Sequence, residues 1–283
     1  QGEWLAAPRK RVLFFGMSGL GKTYLASMLR ASGGWFHYSV DYRIGTRYMG
    51  EYIADNFKRE AMKVPLLREL LLTDSVYIAS NITFDNLAPL STYLGKPGDP
   101  ARGGVAFGEY CRRQDQHREA EIAALLDAPR FIERASGIYG YDNFICDTSG
   151  SICEVVNADD PADPVMKSLS QNLLPVWIEG SPEHRAELIR RFDRAPKPMY
   201  YQPDFLSQVW AEYLAQEGKP ATLVDPDAFL RFGYARLLEH RVPRYRAMAQ
   251  WGVTITAAEV AEIKNQPDLI TLIAAAIDRK AQG

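Results

Sequence analysis

The run Gly16-Met-Ser-Gly-Leu-Gly-Lys22-Thr23 brings three glycines, a lysine and a hydroxyl into one short segment. Each residue type has its own chemistry. Glycine lets the backbone adopt positive φ and come close to a ligand. Successive amides then point at an anion, with a helix N-terminus behind them. The lysine sets a cation on phosphate oxygens, and the threonine after it offers a hydroxyl to magnesium. The full G-x-x-x-x-G-K-[ST] spacing is present. Gly16, Met17, Ser18, Gly19, Leu20, Gly21, Lys22, Thr23 and Tyr24 are therefore the expected contacts of a nucleoside triphosphate, with ATP and Mg2+ as the first expectation.

Two aspartates follow short apolar runs. Asp147 closes Asn143-Phe-Ile-Cys146 and opens Asp-Thr-Ser-Gly-Ser151. An acid at a strand's carboxyl end faces the crevice where ligands bind in open parallel sheets. Asp147 is thus the expected partner of Thr23 at the metal, the alternative being an Asp that starts a turn with Thr148 and Ser149. Asp41 closes Phe36–Val40 and is followed by Arg43 and Arg47. A carboxylate there suits the deprotonation of an attacking hydroxyl, and the arginines suit an acidic group on the acceptor. The competing reading is a helix-capping Asp with solvated arginines. Arg190, Arg191 and Arg194 crowd the end of a helical stretch, Glu183–Arg194, before Pro196-Lys-Pro198. Lid arginines of this kind meet charge developing on a transferring phosphoryl group, although cations favour helix C-termini without any such role.

These residues need elements to hold them. Arg11–Phe15 is an apolar run bounded by Gly16, the mark of a buried strand. Lys22–Arg30 reads as a helix that Gly33-Gly34 stops. Further strands are expected at Trp35–Val40, Asn143–Cys146, Leu173–Ile178 and Val253–Ile255. Ser181 caps a helix with Pro182 at its first position, and Thr256 with Glu259 forms a capping box. Alternating strands and helices imply an α/β fold of the three-layer P-loop NTPase type, with a mostly parallel sheet covered on both faces. The expected organisation is a single domain over 1–283. It carries a large helical insertion at about 45–140 and a lid-like segment at about 185–205. Within the insertion, Val76–Ser80 reads as a strand and Lys96–Gly104 as a mobile loop.

The chain has 283 residues, 47% hydrophobic and 24% charged, which is an ordinary globular balance. A net charge of −2 calls for no nucleic-acid partner. The longest apolar runs are too short or too charged to span a bilayer, and the start does not resemble a signal peptide. The three cysteines form no metal or disulfide pattern and fit a reducing cytoplasm as small buried residues. The four histidines are scattered and suggest no metal cluster.

In this order the motifs resemble the shikimate kinase and nucleoside-monophosphate kinase group of P-loop kinases. The phosphate loop, Asp41 with Arg43, and the arginines before Pro-Lys-Pro carry the likeness. Arg241-Val-Pro-Arg-Tyr245 is similar to the Arg-x-Pro-x-Tyr segment of shikimate kinases. The resemblance implies that Asp41 and Arg43 contact a phosphoryl acceptor, that Arg190 or Arg191 serves a lid, and that the loop after Ile255 walls the adenine. Two departures separate the chain from a shikimate kinase: the long stretch between Arg43 and Asp147, and Asp-Thr-Ser-Gly-Ser in place of a glycine-rich loop. The expected function is phosphoryl transfer from Mg-ATP to a small-molecule acceptor other than shikimate. A second expectation is an ATPase switch whose helical insertion grips a protein partner. A third, nucleotide binding without turnover, is opposed by Lys22, Thr23 and Asp147.

Overall fold

Short apolar runs form the strands, and glycines and prolines punctuate them. A computed structural model describes residues 2–282. The chain runs through β1 (Arg11–Phe15), α1 (Lys22–Ala31) and β2 (Trp35–Ser39). A helical turn at Val40–Arg43 and a π-helical turn at Ile44–Tyr48 lead to the helix Gly50–Ala61. There follow α2 (Pro65–Leu72), α3 (Ala88–Leu94) and α4 (Phe107–Leu126). The chain then forms β3 (Asn143–Asp147), β4 (Leu174–Glu179), α5 (Pro182–Arg194), α6 (Pro226–Ala249) and β5 (Val253–Thr256). The helix Gln266–Gln282 follows β5.

All five strands are parallel, in the order β2-β3-β1-β4-β5. The fold is thus the α/β P-loop NTPase type. Val12–Phe15 and Phe144–Asp147 are buried without alternation, as strands covered on both faces must be. Leu25, Ala26 and Leu29 form the buried face of α1. Gly33 and Gly34, at φ 81° and 73°, turn the chain into β2. Connections leave β1 and β4 in opposite directions, so the crevice of this sheet lies between their carboxyl ends. Among the described residues no helix is long and apolar enough to cross a membrane.

The chain divides into two compact units. The first holds the residues up to Val40, then Ile122–Ala195 and the chain from Arg231, and so contains the whole sheet. The second holds Asp41–Glu121 and Pro196–Leu230. Its core includes Phe107 stacked on Trp210 at 4.5 Å, with Phe229 edge-on to Trp210 at 4.8 Å. Tyr110 and the Gln114 amide both donate to the Met199 carbonyl, and Tyr201 N–H donates to Gln114. The segment before the helix Pro203–Glu217 is therefore pinned to α4.

One expectation is corrected in the second unit. Val76–Ser80 is not a strand: it has no ladder partner, and Val76 and Tyr77 are exposed. β-branched composition alone does not hold an isolated strand. Lys96–Gly104 is a loop, as expected, and it is hydrogen-bonded to its surroundings. Gly98 N–H donates to Val105 O and Val105 N–H to Lys96 O, while Asp99 N–H donates to Val224 O. A Cβ at Gly98 would lie 2.6 Å from that Val224 oxygen. Its glycine serves close packing rather than flexibility.

Candidate phosphate and metal site

The loop between β1 and α1 is shaped by glycine. Gly16 has φ 137°, and a Cβ there would lie 2.6 Å from the Ile178 carbonyl oxygen on β4. Gly21, at φ 97°, occupies the N-cap of α1, where a Cβ would meet Val260 at 2.8 Å. An alanine at either position forces both strain and a clash. With no side-chain cap on α1, its first amides remain directed at the loop. Lys22 is buried, and its Nζ donates to the carbonyls of Gly16 and Met17 at 2.8 Å each. The ammonium is held inside the curve of the loop by the loop's own backbone. Tyr24 turns the other way and donates to Ile263 O at 3.1 Å, tying α1 to the segment beyond β5.

Strand register sets the acid beside this loop. Asp147 lies between Phe14 of β1 and Ser39 of β2. Its carboxylate accepts from the Thr23 hydroxyl at 3.2 Å and is nearly buried. His37 Nε2 stands 3.7 Å from the same oxygen. The neighbouring Thr148 hydroxyl donates to Phe14 O, so the chain leaving β3 is fastened to β1. A hydroxyl and a carboxylate meeting beside a glycine-cradled lysine are hard oxygen donors of the kind magnesium takes. The glycine cradle, the enclosed lysine and the oxygen pair fit Mg2+ and a nucleoside triphosphate.

Sequence reasoning missed the group behind this site. Glu154 and Arg241 form a buried ion pair at 2.9 Å, and His240 approaches the other carboxylate oxygen at 3.4 Å. Burial pushes the Glu154 carboxyl up, but the His240 contact and the Arg241 charge outweigh it and hold it below its ordinary value. Burial opposes the Arg241 charge, and Tyr245 and Glu154 more than offset that. Tyr245 hydroxyl donates to Gly150 O. A Cβ on Gly150 would stand 3.7 Å from Ser18 N, 3.8 Å from Arg241 Nη1 and 3.9 Å from Tyr245 Oη. Gly150 is thus packed against the phosphate loop, Arg241 and Tyr245. The available signal was Arg241-Val-Pro-Arg-Tyr245, whose i, i+4 spacing puts Arg241 and Tyr245 on one face of α6. A hollow of about 240 Å3 adjoins the loop, bounded in part by Met17, Trp177, Glu179, Arg185 and Arg246.

The remaining expected residues are carried by other elements. Asp41 belongs to the turn Val40–Arg43 rather than to the strand end, and Asp41, Arg43 and Arg47 fall in the helical unit. There the Arg43 guanidinium lies over the Tyr48 ring at 5.5 Å. Arg190 and Arg191, on α5, are largely exposed and both bind Glu187 of the same helix, at 2.7 and 2.8 Å.

No protein-family model matches the chain, and no curated relative does. Among solved structures, shikimate kinase from Bacteroides thetaiotaomicron is similar at 18% identity and a TM-score of 0.36, over 96% of this chain and 97% of that one. At that degree of overlap the likeness adds nothing to what the sheet and loop establish by themselves.

Proposed function

We propose that the chain binds Mg-ATP at the phosphate loop and transfers its γ-phosphoryl group to a small-molecule hydroxyl or phosphate, as kinases of the shikimate and nucleoside-monophosphate group do. The observation that carries this reading is the Thr23–Asp147 contact of 3.2 Å beside the glycine cradle and the enclosed Lys22. Loop amides and Lys22 hold the phosphate oxygens. Thr23 and Asp147 hold Mg2+, which when bound neutralises charge on the phosphates. Asp41 accepts the proton of the acceptor hydroxyl, and Arg43 and Arg47 bind its acidic group. Arg190 and Arg191 exchange Glu187 for charge developing on the transferring group. Arg241, fixed by Glu154, adds a buried cation beside the loop.

The test pairs Lys22→Ala with calorimetric titration of Mg-ATP and circular dichroism. The variant is expected to fold and to lose binding at least about tenfold, which is 1.4 kcal/mol. Wild-type affinity in the folded variant would reject the reading. One observation favours the ATPase switch as a second reading. α2 has no buried residue and exposes Leu66 and Leu72, a surface suited to a protein partner. Phosphate release from Mg-ATP without any acceptor, accelerated by that partner, separates the switch from a kinase.

A further inference from the structure

The loop Lys96–Gly104, so firmly built, forms one wall of a cleft in the helical unit. The cleft has a volume of about 820 Å3, within the ~300–1,000 Å3 typical of small-molecule sites. Its floor is one face of α3. Ala88, Ser91, Thr92 and Gly95 recur at helical spacing and line the cleft, while Leu90, Tyr93 and Leu94 on the other side are buried. The floor is thus polar by the same periodicity that makes α3 amphipathic.

The charges around it differ in how they are held. Lys96 pairs with Asp227 at 2.5 Å and Arg102 with Asp225 at 2.7 Å. Asp227 lines the cleft beside Lys96, whereas Asp225 holds Arg102 from outside the lining. Lys197, on the opposite strand of chain, also lines the cleft and has no ion-pair partner among the described residues. Ser91 and Thr92 hydroxyls carry no hydrogen bond among the described residues. Asn86 uses its carbonyl oxygen to accept from Ala88 N–H at 3.2 Å, which leaves its amide to donate. Asp85 at the rim supplies a free acceptor.

We propose that this cleft binds a small hydroxylated organic anion, a carboxylate or a phosphate ester. Lys197 takes the anionic group, joined by the outer N–H groups of Arg102, because an ammonium without a counter-charge binds an anion with no internal pair to break. Asp85, Asn86, Ser91 and Thr92 take the hydroxyls. The pinned loop gives the site its shape before the ligand arrives, which lowers the ordering cost of binding. The inference goes beyond the nucleotide reading and does not depend on it, since binding is measured directly and without ATP.

The experiment is calorimetric titration of the intact chain with glycerophosphate, gluconate and neutral glycerol. Glycerophosphate or gluconate is expected to bind saturably and glycerol not to bind. Binding of only one anion assigns the ligand to that class. Lys197→Glu is expected to weaken binding at least about tenfold, and Lys167→Glu, at an exposed position of the other unit, to leave it unchanged. Thr92→Glu, which adds a carboxylate to the exposed cleft floor, provides the same loss by repulsion if Lys197→Glu fails to fold. Absence of binding by both anions, equal binding of glycerol, or wild-type affinity in the folded Lys197 and Thr92 variants would overturn the proposal.

Discussion

Glu154 is the residue on which the most structure depends relative to its visibility in the sequence. Its side chain is fully buried and its charge is balanced by Arg241, itself only 4% exposed. Removing one member of such a pair leaves a charge without water or partner, at a cost of about 3–5 kcal/mol. Glu154→Ala is therefore expected to lower the melting temperature sharply, while Glu154→Gln, which keeps the shape, costs less. The sign of the pH effect follows from the lowered carboxyl. A group whose folded pKa lies below its unfolded value of 4.5 adds stability above that value and loses it as pH falls through the folded pKa. Wild type should lose stability as pH drops below about 5, and Glu154→Gln should show a flatter acid limb in melting experiments. Equal acid slopes would reject this account. The phosphate loop was legible because a fixed spacing states its chemistry in consecutive residues. Glu154 and Arg241 were not, because only the sheet and α6 bring such distant positions together.

At the scale of elements, the leucines of α1 and α2 give opposite predictions. Leu29 of α1 is completely buried, so Leu29→Ala should cost about 2–5 kcal/mol. Leu66 and Leu72 of α2 are 65% and 67% exposed, so replacing both by Glu should change unfolding free energy by only about ±0.5 kcal/mol. A large loss measured by urea titration would mean that α2 is covered. α1 was expected as a helix and α2 falls within the expected helical insertion, yet a helical reading does not name what a helix face meets. The strands were legible for a simpler reason: β1, β3 and β4 are buried on both faces and read as unbroken apolar runs. Val76–Ser80 has the same composition and no neighbour to pair with. On α5, the exposed Arg190 and Arg191 should each cost less than about 1 kcal/mol when changed to Ala, as surface pairs with Glu187. If they also meet the transferring phosphoryl group, single-turnover rates should fall about 10³-fold or more with little change in ATP affinity. Unchanged rates would leave them as surface ion pairs.

At the scale of the whole molecule, the two units each have their own apolar core and, on the readings above, their own ligand. A ligand that binds only the folded form stabilises it by about 2.7 kcal/mol at one hundred times its Kd. For the unit that contains the sheet, which falls in the range of roughly 150–250 residues, that is worth about 2–4 °C per kcal/mol. The stabilisation must appear first where the ligand's contacts are, because local opening is governed by local structure. Hydrogen exchange read segment by segment is therefore the decisive measurement. Mg-ATP is expected to slow exchange through β1, α1 and the turn after β3, and Lys22→Ala should cancel that protection. Glycerophosphate or gluconate is expected to slow exchange from Asn86 to Gly103 instead, and Lys22→Ala should leave that effect intact. Nucleotide protection confined to the helical unit would place the triphosphate away from the glycine cradle and reject the assignment of Thr23 and Asp147. Anion protection that disappears with Lys22→Ala would show that the anions compete for the phosphate loop, and the cleft beside α3 would lose its claim to a ligand of its own.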